Sequence, residues 1–295
     1  MRVALVLVPY DLGRERVGTG RGPEAYVDGG AVEALRERGH EVAVVTVVRP
    51  SPFREELDAV LAVNREVARA VAAAVASDRL PLVVAGNCNA SLGLRAGLQA
   101  AGAPPDLPVV WCDAHGDFNT PATTVTGYLD GMPLAMLTGA AHPQAWAQLG
   151  GRAVAEELVV HLGARELDPA EAVALERSRV RVVTPAAADG QLEAALTAAL
   201  EGLPGGALAA PRPPRPPLQL HVDLDVLDPR LAPGVSFPSP NGLTPTQLRR
   251  ALAVVGRRFA PAGLTLSSYL PERDDGGAST LQAGIDVLVT VADLA

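Results

Sequence analysis

The chain contains no lysine; all 25 of its basic side chains other than histidine are arginine. A lysine Schiff base and a phosphate-loop lysine are thereby excluded. Aromatic residues make up only 3% of the 295 residues, so valine, leucine and alanine must fill the core that a 48% hydrophobic content allows. Two cysteines, Cys88 and Cys112, are too few for a disulfide framework, and the expected compartment is the cytoplasm. The opening run from Met1 to Pro9 is too short and wrongly flanked for a signal peptide and reads as a first buried strand. No apolar run reaches the roughly 20 residues of a membrane span. A formal net charge of -8 disfavours nucleic acid and anionic lipid, which leaves a small molecule as the expected partner.

What the chain does have is a regular alternation of apolar runs with helix-period stretches. The strand candidates are Val3 to Val8, Glu41 to Val48, Leu82 to Ala85, Val109 to Asp113, Leu158 to Gly163, Val180 to Val183, Leu218 to Asp225 and Leu264 to Ser267. Helical periodicity covers Val32 to Arg38, Phe53 to Ala76, Ala90 to Ala101, Pro169 to Arg177, Pro185 to Leu200, Thr244 to Arg257 and Gly276 to Ala295. Strands buried on both faces and joined by helices predict an α/β fold: one domain over residues 1–295, with a doubly wound, mostly parallel sheet of about eight strands. Ala209 to Pro217 reads as a polyproline-like connector, and Gly18 to Gly22 as a turn or active-site loop, since its spacing is wrong for a phosphate loop.

Two runs carry chemistry. The first is Trp111-Cys112-Asp113-Ala114-His115-Gly116-Asp117-Phe118-Asn119, and the second is Leu220-His221-Val222-Asp223-Leu224-Asp225-Val226-Leu227-Asp228-Pro229. Each begins as an apolar strand and ends in ligand-type residues two apart. Strand alternation would put Asp113, His115 and Asp117 on one face, and Asp223 with Asp225 on another shared face. Ligands collect beyond the carboxyl ends of strands in open α/β sheets. Four carboxylates and an imidazole meeting there would repel one another without a cation, and such donors suit manganese or zinc better than calcium.

These runs closely resemble the ureohydrolase family (arginase, agmatinase, formimidoylglutamase), through its Asp-Ala-His-x-Asp and Asp-x-Asp-x-x-Asp-Pro motifs. The likeness extends from the Gly-rich segment to about Pro271 and implies an arginase-like fold. It also implies a two-manganese enzyme that hydrolyses carbon–nitrogen bonds in linear amidines, with one metal position weakened where a ligand differs, and it admits a homo-oligomer. By the resemblance, Asp113 and Asp223 bridge the metals, Asp117 completes one position, and His115 and Asp225 serve the other. Asp117 also accepts a hydrogen bond from the attacking water. The family's Gly-Gly-Asp-His-Ser motif corresponds to Ala85-Gly86-Asn87-Cys88-Asn89, so Cys88 takes the place of a ligand histidine. A thiolate can replace imidazole and shifts preference toward softer ions.

Asn119, Thr124 and Thr126 match the loop that holds an amino acid's α-carboxylate, and Asp168 matches the acid that receives its α-amino group. Asp130 stands where arginase has its proton-shuttle histidine. Ser268 aligns with the glutamate that anchors the guanidinium, unless Glu272, Asp274 or Asp275 reaches inward instead. Both departures disfavour arginine and favour a weakly basic amidine such as an N-hydroxyguanidine. A branch of the family that hydrolyses Nω-hydroxyarginine similarly has cysteine for the ligand histidine and lacks the shuttle histidine.

Two other readings stay open from the residues: a metal-binding protein with little turnover, and a cysteine hydrolase pairing Cys88 with His115. His221 either orients or lines the site or is hydrogen-bonded inside the sheet. Asp130 serves either the pocket or a helix N-cap, and Thr124 and Thr126 are either substrate donors or turn hydroxyls. Cys112 and His161 read as structural, Asp228 as a turn residue, and His40 and His142 as surface loop residues.

Overall fold

The structure is a computed structural model that describes residues 1–48, 55–185, 190–206 and 215–295. The chain opens with β1 (Arg2–Val8), a small hairpin of β2 (Tyr10–Asp11) and β3 (Arg14–Glu15), then α1 (Gly22–Asp28), α2 (Ala31–Glu37) and β4 (Glu41–Thr46). Helix α3 (Glu56–Ala76) precedes β5 (Leu80–Ala85), and α4 (Ala90–Ala100) precedes β6 (Val109–Cys112). Two short helices, α5 (Pro133–Leu137) and α6 (Pro143–Gln148), lead to β7 (Val159–Leu162), and α7 (Pro169–Arg177) leads to β8 (Arg181–Val183). The remainder runs α8 (Gln191–Glu201), β9 (Pro217–Asp223), α9 (Pro245–Gly256), β10 (Ala260–Ser267) and α10 (Ser279–Leu294).

Eight strands form one sheet in the order β4-β1-β5-β10-β9-β6-β7-β8, and every neighbouring pair is parallel. The expected α/β class is therefore found, with a sheet parallel throughout. Strand β1 shows why its sequence is apolar without a break. Val3, Leu5 and Leu7 pack with Leu35 of α2, Leu252 of α9 and Leu288 of α10, while Ala4, Val6 and Val8 pack on the other face with Val67 of α3 and Leu94 of α4. Helices cover both sides of β1, so from Val3 to Val8 neither of its sides carries a polar residue.

Some boundaries differ from the sequence reading. The first carboxylate run leaves the sheet at Cys112, and the second leaves it at Asp223, with Leu224–Val226 forming a 3-10 turn. Strand alternation therefore cannot be what gathers the acids, and that expectation is corrected. Helices α1 and α6 were not legible as helices, because each is short and begins at or beside a proline in a Gly- or polar-rich setting. The Gly18 to Gly22 segment is a 3-10 turn running into α1, and a Cβ at Gly22 would come within 2.6 Å of the Tyr269 carbonyl oxygen. It packs the chain closely and does not reach the cavity described below. His40 is buried rather than superficial, with Nε2 3.0 Å from Asp293 Oδ1. Phe53, the polyproline run from Ala209 to Pro214 and residues 186–189 ahead of α8 lie outside the described residues.

Candidate metal centre

The carboxyl ends of four adjacent strands, β5, β10, β9 and β6, open into one cavity of about 380 Å³. Cys88 follows β5, Ser268 follows β10, Asp223 ends β9, and Asp113 follows β6. The cavity wall includes Cys88, Asp113, His115, Asp117, Asn119, Thr124, Thr126, Asp130, Asp168, Asp223, Asp225 and Ser268, whereas His221, Glu272, Asp274 and Asp275 are not part of it.

A repeated local device aims the two acid pairs. The backbone N–H of His115 donates to Asp113 Oδ1 at 2.8 Å, and the backbone N–H of Asp225 donates to Asp223 Oδ1 at 2.8 Å. In each run the first aspartate closes a turn on the residue two further on, which folds the chain back and brings the second ligand beside the first. The two turns are stitched together where Ala114 N–H donates to Asp225 Oδ1 at 3.1 Å. His115 Nδ1 then lies 3.0 Å from Asp225 Oδ2 and 3.6 Å from Asp113 Oδ1.

Two clusters of donor atoms result. Cys88, Asp113, His221 and Asp223 bring one ligand atom each within 4.8 Å of one another, as do Asp113, His115 and Asp225, so Asp113 belongs to both. Asp117 lines the same cavity but falls in neither cluster. Its backbone takes φ 49°, and its carbonyl accepts N–H bonds from Leu134 and Ala135 at the start of α5, each at 3.0 Å. Those bonds satisfy two helix-end donors and hold an otherwise strained residue in place. Asp117 Oδ2 is buried with no hydrogen-bond partner.

The electrostatics favour a cation in this space. Asp113, Asp117, Asp130, Asp223 and Asp225 are all buried, and no arginine is among the described residues that line the cavity. Burial, reinforced by neighbouring carboxylates, pushes Asp117 well up, Asp225 up, and Asp223 up to about 7. Burial also pulls the His115 imidazole down, but Asp225 and Asp113 outweigh it and lift the ring to about 12. One imidazolium cannot balance this many acids, whereas divalent ions would reverse the upward shifts. The donor set and the orphaned Asp117 oxygen therefore fit resident metals.

Other residues refine the sequence reading. Asp130 is no helix cap: its Oδ1 accepts from Asn89 N–H at 3.1 Å and Asn89 Nδ2 at 2.6 Å, and its Oδ2 accepts from Asn87 Nδ2 at 2.8 Å. Burial raises its carboxyl to about 7. Thr124 and Thr126 are turn acceptors, for the N–H groups of Gly127 and Tyr128 respectively, and both residues also line the cavity. Asn119 donates to Asp168 Oδ2 at 3.1 Å, which joins two residues expected to hold the same substrate end. Ser268, at φ 68°, donates its hydroxyl to Asp223 Oδ2. Glu272 instead pairs with Arg21 at the surface, while Asp274 and Asp275 accept N–H groups at the start of α10, so none of the three replaces the missing glutamate.

Cys112 is buried in the core, and Asp228 closes a turn by accepting Arg230 N–H at 3.0 Å. His161 is wholly buried on β7, and His142 is half-buried. Cys88 Sγ contacts Asp223, Ser267 and Ser268 rather than His115. Burial and Asp223 push its thiol well above the usual range, which rules against a free cysteine nucleophile.

Glu171 escaped the sequence reading. It is buried against the cavity, with Oε1 accepting Phe118 N–H at 2.9 Å and Oε2 accepting Asp168 N–H at 3.2 Å. A Cβ on Gly116 would come within 2.7 Å of this carboxylate, which explains glycine inside the first motif. The signal was present as Asp168 followed three residues later by a glutamate at a helix start. Glu171→Ala is expected to leave Phe118 N–H buried and unpaired, a cost of about 1–3 kcal/mol. Urea unfolding of the metal-free protein measures it, and an unchanged midpoint would show that the loop does not depend on Glu171.

Fold and site together define a class: an open-sheet α/β protein with a two-position candidate metal centre past its central strands. The family model for the arginase family matches residues 1–292. The arginase of Bacillus caldovelox is 34% identical over 255 residues, covering 82% of each chain. An N(omega)-hydroxy-L-arginine amidinohydrolase of Streptomyces lavendulae is 32% identical over 189 residues, 64% of this chain and 60% of that protein. The crystal structure of arginase from Bacillus subtilis subsp. subtilis str. 168 superposes with a TM-score of 0.84 at 28% identity, covering 98% of this chain and 97% of that one. The chain belongs to the arginase family of hydrolases.

Proposed function

We propose that this protein hydrolyses a carbon–nitrogen bond in a linear, weakly basic amidine carried on an amino acid, with an N-hydroxyguanidine such as Nω-hydroxyarginine as the best-fitting substrate. Cys88, Asp113 and Asp223 would hold one divalent ion, with Asp117 beside it in the same cavity. His115 and Asp225 would hold the second together with Asp113 and Asp223; manganese is the expected ion. When bound, the pair acidifies water from a pKa near 16 towards about 7 and polarises the amidine.

The remaining work belongs to the chain. The free Oδ2 of Asp117 accepts a proton from the attacking water. Asn119, Thr124 and Thr126 offer donors to the substrate carboxylate, and Asp168 offers an acceptor to its ammonium. Phe237, exposed and lining the cavity, packs edge-on to His115 at 6.2 Å.

The observation that carries the substrate reading is Ser268. Its hydroxyl is bound to Asp223, so the wall there offers no carboxylate to a fully charged guanidinium. A guanidinium loses the dedicated partner that the family's glutamate would supply at this position, whereas a less basic hydroxyguanidine enters neutral and has less need of one. The supporting relative is the Nω-hydroxyarginine hydrolase; the arginase relatives favour arginine instead. Initial rates with both compounds decide between them. The proposal requires kcat/KM for hydroxyarginine to exceed that for arginine by about tenfold or more, about 1.4 kcal/mol of transition-state preference. Equal turnover would refute it, and no turnover of any amidine by metal-loaded protein would favour a binding role without catalysis.

A further inference from the structure

His221 sits on β9 two residues before Asp223 and is wholly buried. Its ring stacks on Trp111 with centroids 3.7 Å apart, and Nδ1 lies 2.8 Å from Ser91 Oγ. Trp111 is its register partner on β6, and Trp111 Nε1 donates to Asp113 Oδ2 at 3.2 Å. The other ring nitrogen, Nε2, is buried with no hydrogen-bond partner and lies 3.9 Å from Asp113 Oδ2. His221 supplies one of the four donor atoms of the Cys88 cluster. The ring does not line the cavity; it approaches the cluster from the sheet side.

We propose that His221 is a ligand of the Cys88 metal position, so that this position is built from one thiolate, one imidazole and the carboxylates of Asp113 and Asp223. The inference rests on the two-metal reading above and adds a donor to it.

The argument is one of satisfied valence. As a mere strut, His221 would bury a ring nitrogen with no hydrogen-bond partner. With the proton on Nδ1 and donated to Ser91, Nε2 carries a lone pair toward the acids, the arrangement in which a second hydrogen bond orients a metal-ligating imidazole. Two donors each about 2.1 Å from a tetrahedral ion lie about 3.4 Å apart, so the 3.9 Å to Asp113 closes with a small adjustment. Cys88 removes an imidazole from one side of this position, and His221 returns one from the other. Asp117, outside both clusters, is left free to accept a proton. A four-donor set with sulfur and nitrogen suits a borderline-soft ion of the zinc class better than manganese.

Cobalt(II), a spectroscopic stand-in for zinc, tests this independently of catalysis. One equivalent added to metal-free protein should give an intense four-coordinate spectrum with a thiolate-to-cobalt charge-transfer band. His221→Gln should weaken cobalt affinity by roughly tenfold or more and alter that spectrum. Unchanged affinity and spectrum in folded His221→Gln protein would overturn the assignment while leaving the two-metal reading intact. Failure of the wild-type protein to bind any divalent ion would overturn both.

If His221→Gln does not fold, the His115→Asn protein loaded with one equivalent of copper(II) supplies the readout. Pulsed electron paramagnetic resonance should still detect a coordinated imidazole nitrogen. Its loss together with the His115 ring would show that His221 is no ligand.

Discussion

Asp223→Ala protein is expected to lose amidine hydrolysis by about a thousandfold or more while remaining folded. Asp223 ends the central strand β9, and its carboxylate stands beside Cys88 Sγ at 2.8 Å and takes the Ser268 hydroxyl. Removing it would take a proposed ligand from the Cys88 cluster. Metal ions contribute several kcal/mol of transition-state stabilisation, and about 4 kcal/mol corresponds to about a thousandfold in rate. The same substitution removes one of the crowded buried acids, so the melting temperature of the metal-free protein should not fall. Inductively coupled plasma analysis and a rate assay read the two effects. Asp228→Asn, in the same motif but tied to Arg230 outside the cavity, should retain metal and activity. A fully active Asp223→Ala enzyme would remove the basis of the metal reading.

Stripping the protein with a chelator should abolish activity, lower the melting temperature, and allow a re-added divalent ion, manganese or zinc, to restore both. An ion at a thousand times its dissociation constant stabilises the folded state by about 4 kcal/mol, and in a domain of this size that moves the midpoint by roughly 7 °C. The size of the shift should depend on pH. Asp223 and Asp130 both ionise near pH 7 in the fold, against an ordinary 3.8, because burial disfavours their charged forms. A carboxyl raised in the folded state contributes stability that is complete below its unfolded pKa and is lost as pH rises through its folded pKa. Metal-free protein should therefore melt at progressively lower temperature between about pH 4 and pH 7, the reverse of ordinary paired carboxylates. The metal-induced rise in melting temperature should widen over the same interval. A pH-independent difference between the loaded and stripped proteins would contradict this electrostatic account.

Most of the fold could be read from the chain because strands buried on both faces leave an unambiguous mark. The uninterrupted apolar run of β1 has no polar position to spare, since helices cover both of its sides. The short helices α1 and α6 left no such mark, with too few turns to display a period. The site was legible for a similar reason: the acids of the two runs stand next to apolar strand sequences, and strand ends are where such sheets gather ligands. The route by which they converge was misread, because Asx-type turns after β6 and β9 do the work assigned to strand alternation. Glu171 carried a visible capping signal, but its contact with Phe118 joins residues 53 positions apart.

By itself the sequence determined the inventory: which donor types exist, that they follow buried strands, and that neither lysine chemistry nor the family's ligand and shuttle histidines are available at Cys88 and Asp130. Only the tertiary structure decided the partnerships. It set Cys88 against Asp223 rather than His115, sent Glu272, Asp274 and Asp275 away from the cavity, and turned the free nitrogen of His221 toward the acids. The physical reason is that strand order places β5, β10, β9 and β6 side by side, although they lie far apart along the chain. Hydrogen-bond and coordination geometry act over a few ångströms, and residue spacing along a chain does not encode such distances once the sheet reorders its strands.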